Sequence, residues 1–244
     1  MKLNDALNKL RDDKHYYGKF GSHYLSNSNI GTLLANPRDF GKPSKENINF
    51  LIGRFFHVSM LEPEKLNEFD IIDASTRNTK VYKEASIKKG SMLLLSKEVD
   101  QLNLAIDDMK SNIELSSQIY DDSSEYEVPM ISDFFGVEFK GKADIVNKDK
   151  IIDIKTTSSI NKFRSSAYAY NYDSQAFIYS SMFGKPFEFF VIDKATRQMK
   201  IFKCSDEFLE SGMKKVEKAV NIWKRFFGTD ATDDVNEYIK TEIL

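Results

Sequence analysis

The chain has 244 residues, of which 41% are hydrophobic and 30% charged, and its formal net charge is −2. This composition is typical of a soluble globular protein, and no apolar run approaches the roughly 20 residues that a membrane helix needs. The near-neutral charge excludes a protein that coats nucleic acid through a generally basic surface. Any nucleic-acid contact must therefore come from a local patch or from a site whose carboxylates are neutralised by metal.

The cysteine count and the N-terminal residues limit the kinds of site and the cellular compartment that we expect. The single cysteine, Cys204, excludes an internal disulfide and makes a cysteine-held zinc or iron–sulfur site implausible. The polar residues Met1–Asp5 do not form a signal-peptide pattern. We therefore expect a cytoplasmic protein.

The first half of the chain is predicted to be mainly helical, because its apolar residues recur at helical spacing. Helices are expected at about residues 3–14, 27–35, 44–60, 78–89 and 96–113, with a short strand at Phe69–Ile72. Ser26 or Asn27 is expected to cap the second helix. The segment at about 76–118 forms an inserted helical layer in this interpretation, and nothing in it suggests chemistry.

One histidine in the helix at 44–60 is a candidate metal ligand. Gly53 precedes His57 by one turn, and a glycine in mid-helix costs about 1 kcal/mol against alanine. We infer that the glycine keeps the approach to the imidazole open. A neutral ring nitrogen of His57 then suits a metal ion, and a packing role is the alternative.

From Glu125 the hydrophobic period changes to two, which predicts strands. Strands are expected at 126–131, 134–139, 143–146, 151–154, 186–193 and 198–204, and helices at about 160–169, from near 173 and from 205 through 227. The whole pattern predicts an α/β fold in a single domain, residues 1–244.

A tight hairpin is predicted at residues 143–154. A symmetric turn pairs Val146 with Ile151 and places Asp144 opposite Asp153, with Cβ atoms roughly 5 Å apart. Like charges in that position repel, so we expect a cation between them. Lys155 lies two residues after Asp153 and shares its face. A surface hairpin with solvated charges is the alternative.

Two carboxylates and an ammonium on one sheet surface suit a hard divalent ion such as Mg²⁺. If only that ion offsets the repulsion between Asp144 and Asp153, the metal-free protein stores strain. Asp144→Asn is then expected to melt slightly higher than the wild type in chelator.

Three further polar residues are candidates for the same site. Glu127 lies 17 residues before Asp144 on a neighbouring predicted strand, within reach of the metal, although an exposed edge-strand glutamate is the alternative. Gln175 and Tyr179 are one helical turn apart and share a face. Gln175 suits a phosphate or a carboxylate, and Tyr179 suits backbone or a base.

Six motifs follow one another in a recognisable order: Gly53-x-x-x-His57, Leu61-Glu62-Pro63-Glu64, Glu127-Val128, Gly141-Lys142-Ala143-Asp144, Ile152-Asp153-Ile154-Lys155-Thr156-Thr157 and Tyr172-Asp173-x-Gln175-x-x-x-Tyr179. This order resembles the RecB-like branch of the PD-(D/E)XK nucleases, and it looks most similar to phage and prophage exonucleases of the exonuclease VIII type. The resemblance covers roughly residues 24–227.

The resemblance implies a restriction-endonuclease-like core, in which a central mixed β-sheet is flanked by helices, and a site that holds Mg²⁺ or Mn²⁺. It implies that the metal ligands are His57, Asp144, Asp153 and the carbonyl of Ile154. Lys155 would position the attacking water or neutralise charge. Gln175 and Tyr179 would lie beside the DNA, and Glu127 would match the upstream acid of these exonucleases. Asp153 replaces the commoner glutamate, and the cysteines of the iron–sulfur members are absent.

The resemblance also implies a function, which is exonucleolytic hydrolysis from the ends of linear double-stranded DNA in phage recombination or DNA processing. A structure-specific or restriction-type endonuclease is one alternative, and a catalytically silent DNA-binding recombination module is another. The intact set of Asp144, Asp153 and Lys155 argues against the silent module. A single-strand annealing protein and a ring-shaped homo-oligomer are partners that the resemblance raises, while strand polarity stays open.

Overall fold

The sheet of the protein is mixed, as the sequence predicts. A computed structural model describes residues 3–43 and 47–241. Its strands are β1 (Ile71–Ile72), β2 (Leu94–Leu95), β3 (Glu125–Phe134), β4 (Val137–Val146), β5 (Ile151–Thr157), β6 (Phe187–Asp193) and β7 (Met199–Lys203). Strands β3 to β7 form one sheet in chain order, in which β5 and β6 are parallel and the other neighbours are antiparallel. Strands β1 and β2 form a separate short parallel pair.

The helices account for most of the rest. They are α1 (Leu3–Leu10), α2 (Asp13–Tyr16), α3 (Asn27–Ala35), α4 (Ile48–Leu61), α5 (Lys80–Lys89), α6 (Ser96–Ser111), α7 (Ile113–Ile119), α8 (Phe163–Ala169), α9 (Tyr172–Phe183) and α10 (Asp206–Phe227). Short 3₁₀ turns occur at Gly21–His23, Pro37–Asp39, Pro63–Glu68, Ile160–Lys162 and Val235–Glu237. Within the described ranges, no helix has both the length and the apolar character that a membrane span requires.

Two helix starts are set by polar side chains that accept hydrogen bonds from nearby backbone N–H groups. The side chain of Asp12 accepts a hydrogen bond from Lys14 N and starts α2, so a single helix at 3–14 is wrong. Asn112 likewise accepts from Leu115 N and separates α7 from α6. Such bonds satisfy the free N–H groups of a helix start. The predicted start of the third helix at residues 44–46 lies outside the described residues.

The turn between β3 and β4 is a second correction. Phe135 and Gly136 have φ values of 55° and 76°, so a continuous strand at residues 134–139 is wrong. Two successive residues in the left-handed region are the geometry of a tight hairpin turn, which glycine tolerates well. The N–H of Gly136 donates to Asp133 Oδ1 at 2.8 Å and closes the turn.

Helices cover both faces of the sheet. Helices α3, α8, α9 and α10 pack on one face, through residues such as Ile30, Phe163, Ile178 and Val220. Helices α4, α6 and α7 pack on the other, through residues such as Phe56, Leu102, Met109 and Ile119. Every residue of β6 is buried, as expected of a strand covered on both sides. Helices α6 and α7, from the segment predicted as an added layer, thus cover the sheet directly.

Candidate metal centre and active site

Elements from both helical layers converge on the end of β4 and β5. Strand β4 carries Asp144 and β5 carries Asp153 and Lys155, and these residues are joined by Glu127 of β3, His57 of α4 and Gln175 of α9. The parallel crossover from β5 to β6 runs through α8 and α9, which brings α9 over β5. The fold therefore assembles six of the predicted residues from five separate elements.

The regular pleat of β3 and β4 is interrupted at this point. Glu127 has φ 49°, a left-handed conformation that is uncommon for a glutamate. The pairs that bracket it in the ladder place Glu127 opposite Asp144. Ala143 packs in one core cluster and Ile145 in the other, although residues two apart normally share a face. Both strands are irregular where they present their carboxylates, which is where functional sites concentrate backbone strain.

His57, Glu127 and Asp144 form a compact cluster. One potential ligand atom from each residue lies within 4.8 Å of the others. His57 Nε2 is 3.2 Å from Glu127 Oε1 and 3.2 Å from Asp144 Oδ1. Neither contact has hydrogen-bond geometry, so this buried nitrogen has no hydrogen-bond partner among the residues that the structure describes. A metal ion bound here would take the place of the proton on this nitrogen.

The charges of this cluster are unevenly balanced. Burial opposes the charge of His57, but the carboxylates of Asp144 and Glu127 outweigh it and raise the imidazole pKa well above its ordinary value. Burial would raise the pKa of Asp144, yet the charge of His57 holds it below the ordinary value. For Glu127, burial dominates and raises the pKa. The cluster thus holds more negative charge than one histidine offsets.

Asp153 and Lys155 form the second half of the site. Lys155 Nζ lies 2.6 Å from Asp153 Oδ2, and the Gln175 amide donates to Asp153 Oδ1 at 2.6 Å. Burial raises the pKa of Asp153 to about 6, against the opposing effect of Lys155. The neighbouring carboxylates outweigh the burial of Lys155 and raise its pKa. The Lys155 ammonium also lies 5.1 Å from the ring centre of Tyr172.

The predicted hairpin register is confirmed for the two pairs Ile145–Ile152 and Val146–Ile151. Asp144 and Asp153 lie one step beyond this ladder, so the expected cross-strand pair of aspartates is not formed. Instead, Asp144 Oδ2 accepts a hydrogen bond from Ile154 N at 3.1 Å. The side chain of Asp144 thus replaces a backbone partner where β4 and β5 stop pairing.

Two sequence-based interpretations change as a result. The solvated surface hairpin is wrong, because Asp153 is only 2% exposed. The idea that metal alone offsets the aspartate charges is also wrong, because Lys155 contacts Asp153 and His57 contacts Asp144. Relief of strain by Asp144→Asn is therefore no longer expected.

The residues present fit a divalent metal ion. Carboxylate oxygens and an imidazole nitrogen are accepted ligands of Mg²⁺ or Mn²⁺. Among the described residues, His57 Nε2 is buried without a hydrogen-bond partner, and Asp153 Oδ2 is buried with only the ionic contact to Lys155. A cation would satisfy both atoms. Ligation by Asp153 and by the Ile154 carbonyl stays a prediction, since the compact cluster comprises His57, Glu127 and Asp144.

Tyr179 lies behind the site and is only 8% exposed. Its hydroxyl accepts a hydrogen bond from Lys142 N at 3.3 Å. A Cβ atom on Gly141 would lie 2.2 Å from the Tyr179 ring, so glycine permits this close approach. Tyr179 therefore supports β4 in this structure, and a direct contact with DNA stays a prediction.

Sequence reasoning missed a group of charges beside the cluster. Lys142 Nζ contacts Asp13 Oδ1 at 2.5 Å and lies 3.9 Å from Glu127 Oε2. Lys65 Nζ contacts the other Asp13 oxygen at 3.0 Å. The available signal was the position of Lys142 two residues before Asp144, which predicts a shared strand face. Asp13 had no such signal, because it is 129 residues away in the chain.

Comparisons with known proteins relate the chain to one family and to solved structures. A family model described as a PDDEXK-like domain of unknown function (DUF3799) matches residues 32–235. A crystal structure from Eubacterium rectale, provisionally named an exonuclease, superimposes with a TM-score of 0.66 at 16% identity, over 87% of this chain and 85% of its own. A phage-related exonuclease from Haemophilus somnus 129PT has 15% identity over 73% of this chain and 97% of its own, with a TM-score of 0.33. No curated protein matches the chain.

Proposed function

Because this chain belongs to the PDDEXK-like domain family (DUF3799), we propose that it is a metal-dependent exonuclease that hydrolyses linear double-stranded DNA from its ends. The family supports a nuclease, and the Eubacterium rectale protein of similar fold bears an exonuclease name. The observation that carries the proposal is the cluster of His57, Glu127 and Asp144 beside the Asp153–Lys155 pair.

The proposed ligands of Mg²⁺ or Mn²⁺ are His57, Glu127 and Asp144, with Asp153 and the Ile154 carbonyl completing the set. A bound divalent ion would supply a water of lowered pKa and shield the phosphodiester oxygens. The uneven charge balance of the cluster supports this assignment, since one imidazole faces two carboxylates within 3.2 Å.

Lys155 is the proposed electrostatic catalyst. The charges of Asp153 and Asp144 raise its pKa, so it carries a proton at neutral pH and does not act as a base. A fixed ammonium in a buried site stabilises negative charge that develops on the phosphate, or orients the attacking water. Asp153 holds this ammonium on the same strand face at 2.6 Å.

Gln175 has a positioning role in the proposal. Its amide donates to Asp153 Oδ1, which leaves the other oxygen of that carboxylate for Lys155. The pair of contacts fixes the rotation of the Asp153 carboxylate. Catalysis by preorganised charge requires that the charged groups around the substrate be held in fixed positions.

The preference for DNA ends rests on the family likeness and on the net charge of −2, which does not favour extensive binding along a duplex. A role in phage recombination or DNA processing belongs to the same proposal. An annealing protein or a ring-shaped assembly of copies as partner stays a prediction.

The test compares three DNA substrates of equal sequence with Mn²⁺ or Mg²⁺ present. These are an open linear duplex, the same duplex sealed by a hairpin at each end, and a covalently closed circle. We expect degradation of the open duplex, protection of the other two, and loss of all cleavage in chelator. Lys155→Ala serves as the inactive enzyme, and Lys148→Ala, in the exposed hairpin turn, as its matched control.

The alternatives give different results in the same assay. Rapid digestion of closed circles would assign an endonuclease. Binding of the open duplex without cleavage of any substrate would assign a silent DNA-binding module. Either result would overturn the proposed exonuclease.

A further inference from the structure

Two lysines beside the metal cluster hold a single carboxylate between them. Lys142 Nζ contacts one oxygen of Asp13 at 2.5 Å, and Lys65 Nζ contacts the other at 3.0 Å. We call Lys65 and Lys142 the lysine clamp. Both carboxylate oxygens are engaged, and their cationic partners hold the pKa of Asp13 below its ordinary value despite partial burial. The clamp can therefore bind an anion that presents two oxygen atoms.

The clamp adjoins the metal cluster. Lys142 is 6% exposed and lies 3.9 Å from Glu127, which belongs to the cluster with His57 and Asp144. Lys142 also precedes Asp144, another member of the cluster, by only two residues in β4. A polymer with regularly spaced phosphates that reaches the metal cluster would therefore bring a second phosphate close to the clamp.

Each lysine of the clamp has a second carboxylate neighbour besides Asp13. Lys65 has a second carboxylate partner in Glu62 at 2.5 Å, and Lys142 has Glu127. The ring of Tyr16 supports the Lys142 ammonium at 4.8 Å from the ring centre. Loss of Asp13 would therefore leave neither lysine without a carboxylate neighbour.

Asp13 is the part of this arrangement that solvent and ligands reach. Its side chain is 40% exposed, compared with 6% for Lys142. It stands at the start of α2, a helix of only four residues in the N-terminal segment. An incoming anion can thus exchange with Asp13 from the solvent side while the lysines remain in place.

We propose that the lysine clamp binds a backbone phosphate of the DNA next to the one that is cleaved, and that Asp13 occupies the clamp as an internal competitor. The proposal rests on the proposed nuclease function. Removal of Asp13 should then strengthen substrate binding, whereas a purely structural ion pair would weaken folding and binding together.

The first experiment measures steady-state cleavage of open linear duplex by the full chain. Asp13→Ala should lower KM roughly threefold to tenfold with little change in kcat, as expected when one competing charge is removed. It should also steepen the dependence of log affinity on log salt by about 1, since one more phosphate is neutralised. Asp13→Asn keeps the side-chain shape, guards against misfolding of the alanine variant, and should shift KM in the same direction.

Two variants separate the clamp from a general charge effect. Asp5→Ala removes an exposed acid from the same N-terminal segment and should leave KM unchanged. Lys65→Gln should raise KM, and combining it with Asp13→Ala should abolish the gain. Equal gains in the Asp5 and Asp13 variants, or a raised KM in both Asp13 variants, would overturn the proposal while leaving the nuclease assignment intact.

The second experiment does not depend on cleavage. Inorganic phosphate should raise the melting temperature of Asp13→Ala more than that of the wild type, by mass action on a free anion site. The gain should disappear in Asp13→Ala combined with Lys65→Gln. If the wild type fails to cleave DNA, this melt still decides whether the clamp binds phosphate, and equal shifts in all variants would reject it.

Discussion

Two kinds of buried carboxylate occur in this protein, and they differ in how completely they are bonded. Asp173 at the start of α9 is fully buried and accepts hydrogen bonds from Ser174 N, Ser211 Oγ and Lys215 Nζ at 2.8–3.0 Å. Asp193 accepts from the backbone N–H groups of Ile160, Ala195 and Thr196 at 2.9–3.1 Å. These aspartates stabilise loops and helix contacts, and their carboxylates are well supplied with hydrogen bonds.

The candidate site contains groups that are bonded less completely. Asp153 Oδ2 and the neighbouring His57 Nε2 lack hydrogen bonds of proper geometry, and Glu127 has a left-handed backbone. A native protein tolerates few such groups, and each one calls for an explanation. Burial alone therefore does not distinguish Asp153 from Asp173, whereas the buried Oδ2 atom without a hydrogen bond does. Asp173 is thus the matched internal control for Asp144 and Asp153.

The largest expected effect is on cleavage. Lys155→Ala should lower kcat by about 10²–10³-fold or more, since it removes the charge that stabilises the transition state. Asp173→Asn should keep kcat within a few-fold of the wild type at a temperature where both are folded. Single-turnover digestion of open linear duplex measures both. An active Lys155→Ala enzyme would contradict the role assigned to the lysine.

The next effect is on stabilisation by metal. At a Mn²⁺ concentration of 100 times Kd, the wild type should gain about 2.7 kcal/mol of unfolding free energy. Asp144→Asn should gain much less, and in chelator it should melt lower than the wild type, because it loses its charged contact with His57. Thermal melts with and without Mn²⁺ measure this. If Asp144→Asn responds to Mn²⁺ as the wild type does, Asp144 is not a ligand.

The third prediction concerns the stability contributed by Asp173, the fully bonded carboxylate. Asp173→Asn should lower the unfolding free energy by about 1–3 kcal/mol, because it weakens three hydrogen bonds and leaves Lys215 without its buried anion. Its stabilisation by Mn²⁺ should equal that of the wild type. Urea unfolding with and without metal checks both statements. A reduced Mn²⁺ response in this variant would show that the two kinds of carboxylate are not separable.

The smallest effect concerns pH. Burial raises the folded-state pKa of Asp153 to about 6, above the roughly 3.9 of an unfolded chain. The folded state therefore binds more protons between these values, and this contribution to stability is present at low pH and lost as pH rises through 6. In chelator, moving from pH 7 to pH 5 should favour the wild type over Asp153→Asn by on the order of 1 kcal/mol.

Urea unfolding at the two pH values measures that difference, with Asp149→Asn as the control from the exposed turn of the same hairpin. The pH response of the control should match the wild type. Identical responses in all three proteins would mean that Asp153 is ionised throughout.

The sequence was sufficient for the parts of the fold that depend on local pattern. Alternation of apolar residues predicted the end of β4, strand β5 and the two pairs that join them. The two-residue spacing placed Asp153 and Lys155 on one face, as their 2.6 Å contact confirms. Helical spacing predicted α4 and α9, which carry His57 and Gln175. Local rules hold here because each depends on neighbours within one or two turns.

Other features of the site depend on contacts that no local pattern encodes. The left-handed backbone of Glu127 and the face shift of β4 arise where β3, β4 and β5 cease to pair regularly. Ion pairs join Asp13 to Lys65 and Lys142, which lie in segments far apart in the chain. Tertiary packing overrides local preference in such places, and they coincide with the site.

Calorimetric titration of Mn²⁺ into the metal-free protein tests the central claim most directly, because it asks whether the incompletely bonded carboxylates hold a cation. We expect saturable binding to the wild type, retained binding to Lys155→Ala and Asp173→Asn, and loss of binding in Asp144→Asn and Asp153→Asn. The absence of binding to the wild type, or equal binding by all five proteins, would contradict the assignment of this site as a metal centre.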